Sequence, residues 1–258
     1  MFAKLELGGG RRAFARDLGA PVYAVDLRNH GNSPHVPRHD YEAMAADVEA
    51  FLGQHGLGAE TVLMGHSMGA KTAMALGLRR PDLISKMVLV DNAPIESMLA
   101  SSFGDYIRAM RRIEHARVTK QSDADAILKQ VEDDLAVRQF LLTNLNKPPG
   151  EDHLKFRIPV NILRSALDRM GSFPYHPDKV RFTKPALFVR GSRSHYVPDE
   201  VIPIIGRFFP SFTLRDIDSG HWGKFFFSSL LLNLLTPFSN VGETTRVQGN
   251  STGVATGR

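Results

Sequence analysis

The chain contains no cysteine, which removes disulfides, thiolate metal sites and a cysteine nucleophile together. Any covalent chemistry must rest on other side chains. Long apolar runs are missing too: the most apolar stretch, Phe225 to Leu235, falls far short of the roughly 20 residues needed to span a bilayer. The opening, MFAKLELGGGRR, lacks the apolar core and small-residue cleavage site of a secretory signal and is short for a transit peptide. A soluble protein is the expectation. There is also no run of one charge. The net charge of +5 comes from scattered pairs such as Arg11-Arg12, Arg79-Arg80 and Arg111-Arg112, a pattern of solvated faces that argues against a nucleic-acid partner. At 258 residues with a near-average composition, a single domain over residues 1–240 is expected to bury its own core.

Strand and helix patterns alternate along the chain, which predicts a mostly parallel sheet covered by helices on both faces. The apolar runs at Val22–Asp26, Thr61–Gly65, Lys86–Asp91, Pro185–Arg190 and Phe212–Ile217 read as strands. Helical periodicity at Arg11–Leu18, Tyr41–Gln54 and Ala70–Arg79 supplies crossovers, each ending near glycine or proline. Between the third and fourth strands lies an insertion, residues 95–183. Helical patterns run through it at Phe103–Ala116, Asp123–Leu145 and Val160–Arg169, with a Pro-Pro-Gly break at 148–150. Its apolar residues Phe103, Tyr106, Met110, Phe140 and Leu141 suggest a lid over an apolar pocket. Residues 241–258 are polar and rich in glycine and threonine and read as a disordered tail.

The stretch TVLMGHSMGAKTAMALGLRRP, residues 61–81, turns from strand to helix within five residues. Gly65-His66-Ser67-Met68-Gly69 matches the G-x-S-x-G elbow, which holds a serine at the apex of a strained turn. Both glycines are expected to be needed because a side chain at either would strike the strand or the helix. Ser67 is then a candidate nucleophile, and the N–H of Met68, the next residue, a candidate oxyanion donor.

An elbow serine needs a base, and the base an orienting acid. His221 follows the last strand, in Asp218-Ser219-Gly220-His221-Trp222, where α/β-hydrolases carry the base. His66 is set aside because it points the wrong way for proton transfer to Ser67. In many such enzymes the acid sits in a G-x-x-D-x-x-x-P-like turn one strand earlier. Here that turn reads Gly191-Ser192-Arg193-Ser194-His195-Tyr196-Val197-Pro198, with Ser194 where the aspartate would stand. Asp91, at the end of KMVLVD, projects from the same sheet edge as Ser67 and is the preferred acid. Asp218 and Asp199 are the reserves.

With these residues in place, a family resemblance can be stated. DLRNHGNSPH at 26–35, GHSMGAKTAM at 65–74, SKMVLVDNAPIES at 85–97, AVRQFLLTNL at 136–145 and SGHW at 219–222 together resemble the abhydrolase domain-containing protein 11 group of α/β-hydrolases. That group includes mitochondrial esterases and fungal ethanol acetyltransferases. The resemblance covers about residues 13–222 and implies acyl-ester chemistry without a cofactor or metal, a small ester or acyl substrate, a mitochondrial location, and an acid at Asp91.

Both ends depart from that pattern. Relatives open with strands and a His-Gly motif whose loop donates the second oxyanion N–H; no His-Gly precedes residue 30. Either Phe2–Leu7 fills the gap in the sheet, with Gly8–Gly10 lending an N–H, or the chain is a fragment. After Trp222, GKFFFSSLLLNLLTPFSN replaces the expected charged amphipathic helix. Two readings therefore stand: a serine acyl hydrolase or alcohol acyltransferase, and an impaired fragment or pseudoenzyme that only binds acyl ligands.

Overall fold

The computed structural model describes residues 15–16, 19–96 and 101–222. In chain order its elements are α1 (Tyr41–Gln54), β1 (Thr61–His66), α2 (Met68–Arg79), β2 (Ile84–Val90), α3 (Ser101–Ala116), α4 (Gln121–Leu128) and α5 (Leu135–Leu142). The pair β3 (Leu145–Asn146) and β4 (Lys155–Phe156) follows, then α6 (Val160–Gly171), β5 (Ala186–Gly191), α7 (Ile202–Phe208) and β6 (Phe212–Ile217). Four strands form one parallel sheet in the order β1-β2-β5-β6. Parallel neighbours need crossover connections, and helices cover such a sheet. Its inner strands are accordingly largely apolar: Ile84, Met87, Val88, Leu89 and Val90 of β2 are fully buried. All four strands of this sheet lie within two residues of where the apolar runs predict them.

Local chemistry sets the element ends. Asp40 caps α1, its carboxylate accepting from the Ala43 N–H at 2.8 Å, which satisfies one of the helix's orphan donors. The expected helix at Asp123–Leu145 is two helices, α4 and α5, broken at Glu132-Asp133-Asp134. There Asp134 caps α5 by accepting from Ala136 N at 2.7 Å. The buried Arg138 guanidinium binds the carbonyls of Glu132 and Asp133 at 3.0 and 2.8 Å and the Asp125 carboxylate at 2.8 Å. Three acceptors around one buried cation fix the turn, so the specific AVRQFLLTNL motif has a structural reason. Phe103, Met110 and Leu141 of the insertion lie within the hydrophobic core, continuous with the sheet and α2. Inside that core α2 also buries Lys71, its ammonium 5.4 Å from the centre of the Tyr41 ring.

Residues 21–27, where a strand is expected at Val22–Asp26, carry no ladder pairing among the described residues. Phe2–Leu7, Gly8–Gly10, most of Arg11–Leu18 and everything after Trp222, the 241–258 tail included, lie outside them.

The loop after it, DLRNHGNSPH, closes on itself. Asn29 (φ 67°) accepts from Val36 N at 2.8 Å, and its amide nitrogen meets His39 Nδ1 at 3.3 Å. His39 is fully buried and its Nε2 has no hydrogen-bond partner among the described residues. Burial first, then the nearby His30 and Arg28, push its pKa from 6.5 down to about 3. A histidine held neutral by the fold stabilises it fully above about pH 6.5, and that contribution is lost as the pH falls toward 3. We expect the urea midpoint to drop between pH 7 and pH 5, and His39→Gln, which cannot titrate, to flatten part of that drop. An identical pH profile in the variant would contradict the assignment.

Candidate active site

The elbow is built as its sequence requires at one glycine and not at the other. Ser67 adopts φ 52°, ψ −117°, a conformation L-residues hold only when their surroundings impose it. Its N–H is tied to Val90 O at 2.9 Å, and its carbonyl accepts from Ala70 N at 3.0 Å, so β2 and α2 hold the turn from both sides. A Cβ on Gly65 would sit 2.2 Å from Gly69 O and 2.6 Å from Ala70 N. Backbone cannot yield to that. A Cβ on Gly69 would meet nothing within 4 Å among the described residues, which corrects the expectation that a side chain at either glycine strikes the strand or the helix: the Gly69 backbone is the obstacle to a side chain at Gly65. Met68 opens α2, so its N–H belongs to the first turn, which has no intrahelical acceptor, at the positive end of the helix dipole.

Three side chains from distant parts of the chain meet at this apex. Ser67 Oγ lies 3.0 Å from His221 Nε2, and His221 Nδ1 lies 2.7 Å from Asp91 Oδ2. Ser67, His221 and Asp91 are 8%, 6% and 0% exposed, so solvent screens these contacts little. Asp91 (φ 51°) leaves the end of β2, and its carboxylate accepts from Gly191 N at 3.1 Å and from the Ser194 hydroxyl at 2.6 Å. Burial lowers the pKa of His221 while the hydrogen bond and charge of Asp91 raise it, and the net direction is downward. The ring is therefore a neutral proton acceptor near pH 7, beside a carboxylate able to stabilise its protonated form.

Ser194, which stands in the 191–198 turn where an aspartate is expected, donates its hydroxyl to the Asp91 carboxylate. Its turn holds a second contact that the sequence did not signal: the Tyr196 ring lies against the His221 ring with centroids 3.7 Å apart and planes 17° from parallel. The His66 ring lies 5.0 Å from that of His221, with planes 35° apart. The reserve acids are elsewhere, exposed and paired, Asp199 with Arg190 at 2.5 Å and Asp218 with Arg193 at 2.7 Å.

The profile of the alpha/beta hydrolase fold matches residues 11–228. The chain belongs to this family. A probable alcohol acetyltransferase of Saccharomyces cerevisiae is 40% identical, over 82% of this chain and 66% of that protein. The sn-1-specific diacylglycerol lipase ABHD11 of Mus musculus is 38% identical, over 82% of this chain and 69% of that protein. Among solved structures, a marine microorganism esterase shares 27% identity and superposes with a TM-score of 0.79, covering 88% of each chain. The acetyltransferase and the ABHD11 lipase fall in the group that the DLRNHGNSPH, GHSMGAKTAM and AVRQFLLTNL motifs resemble.

Proposed function

We propose that this α/β-hydrolase acts on carboxylic esters through an acyl-enzyme on Ser67. The observation that carries the reading is the continuous, buried line of contacts from Ser67 through His221 to Asp91. In this mechanism Ser67 Oγ attacks the ester carbonyl carbon while His221 Nε2 takes its proton. The carbonyl oxygen, now negative, is met by the Met68 N–H at the head of α2. Asp91 holds His221 through Nδ1–H and stabilises the imidazolium without itself taking the proton. Collapse expels the alcohol, which receives the proton from His221. Water or a second alcohol then attacks the acyl carbon and gives its proton to His221; collapse breaks the Ser67 Oγ–acyl bond, His221 returns the proton to Oγ, and the acyl group leaves as acid or as a new ester. One site thus serves hydrolysis and acyl transfer, consistent with relatives named for each. No step calls for a cofactor or metal.

In the same reading, residues 1–240 form one domain in which residues 95–183 are a lid that shapes an apolar acyl site. One contact supports this: Phe140 of α5 meets Trp222, next to His221, with ring centroids 4.9 Å apart. Among the described residues no helix is long and apolar enough to cross a membrane; residence in mitochondria, which the resemblance implies, belongs to the proposal. Purified protein is expected to hydrolyse a short-chain p-nitrophenyl ester, and Ser67→Ala to abolish it. Absence of Ser67-dependent turnover from a folded chain would favour the impaired acyl binder.

A further inference from the structure

We infer that Tyr196 is a positioning residue for the base: its ring face holds the His221 imidazole in line between Ser67 and Asp91 and stabilises its protonated form during the reaction. The inference rests on the reaction proposed above, in which His221 is the base. The geometry is that of a close stack, with centroids 3.7 Å apart and planes 17° from parallel. An imidazolium against an aromatic face is attracted by the ring's quadrupole, as other cations are. Tyr196 is itself held by the same turn that steadies the acid, since its N–H donates to Ser194 Oγ at 3.3 Å while Ser194 donates to Asp91 at 2.6 Å. One turn, residues 191–198, therefore holds the acid by Gly191 and Ser194 and the base by Tyr196. The phenol hydroxyl makes no hydrogen bond among the described residues, so the ring rather than the hydroxyl is the part with a partner.

Among the described residues, the other charged or titratable groups facing His221 are the Asp91 carboxylate, which favours its protonated form, and the His66 ring. Burial holds His66 neutral, at a pKa of about 3. Neither changes when the ring at 196 is altered, so a graded series isolates the stack. Tyr196→Phe keeps the face and is expected to keep kcat within about twofold. Incorporating fluorinated phenylalanines at 196, from one fluorine to five, weakens the quadrupole at nearly constant shape. The His221 pKa read by NMR of its ring nitrogens should fall stepwise, moving the acid limb of kcat/KM to lower pH. On the plateau, kcat should drop about tenfold by the pentafluoro ring, with KM nearly constant. A purely structural role predicts a flat series in both readouts, and that result overturns the inference. The two readouts separate the failures: a chain without turnover whose His221 pKa still steps down refutes the reaction and keeps the stack, whereas full turnover with a flat series refutes the stack alone.

Discussion

Asp91→Asn is expected to lower kcat on a p-nitrophenyl ester by about 10⁴-fold with the fold intact, because an amide facing Nδ1 favours the wrong imidazole tautomer. The loss should be larger than that of any other change around the histidine except removal of the ring itself. Asp91 is fully buried and accepts from Gly191 N and Ser194 Oγ as well as facing His221, so its geometry is set by groups that the substitution leaves in place. Ser194 offers a partial reversal. Its Oγ lies 2.6 Å from Asp91 Oδ2, on the turn where many α/β-hydrolases carry the acid. Ser194→Asp in the Asp91→Asn background should return a carboxylate to the neighbourhood of Nδ1 and recover part of the lost rate. An Asp91→Asn enzyme with undiminished kcat would show that the acid lies elsewhere.

The second large effect is on folding. Gly65→Ala places a methyl 2.2 Å from Gly69 O and 2.3 Å from Gly69 C, inside a turn tied to β2 and α2. Overpacking against fixed backbone costs about 3 kcal/mol or more, a large share of the about 5–15 kcal/mol that holds a domain together. The variant should be insoluble or show a strongly lowered unfolding midpoint. Gly69→Ala, whose Cβ meets nothing within 4 Å, should unfold close to the parent, which a side-by-side denaturant titration would check. Equal destabilisation of both would mean that the elbow is packed differently.

The sheet was legible because its inner strands β2 and β5 are largely apolar runs between turn signals, the pattern that burial on both faces imposes, while β6 alternates apolar and polar residues. Ser67, His221 and Asp91 could be found together because the ends of parallel strands share one edge, so that a position after a strand is also a position in space. What escaped is what depends on contact rather than position. The break between α4 and α5 hangs on Arg138 reaching back to carbonyls five and six residues earlier, a bond that helical periodicity does not encode. Residues 21–27 look like a strand in sequence, but a strand is a pairing, and no partner lies among the described residues. The elbow motif treats its two glycines alike, while the space around them does not. Tyr196 gave no signal, because a ring stacked on a histidine 25 residues away in sequence leaves no periodic trace.

The most direct test of the account is covalent. Treating the protein with a fluorophosphonate and mapping the adduct by peptide mass should find it on Ser67 alone. Ser67→Ala should leave no adduct, and His221→Ala should slow its formation as it slows ester turnover. A label on another residue, or ester hydrolysis that survives Ser67→Ala, would contradict the assignment of Ser67 as the nucleophile.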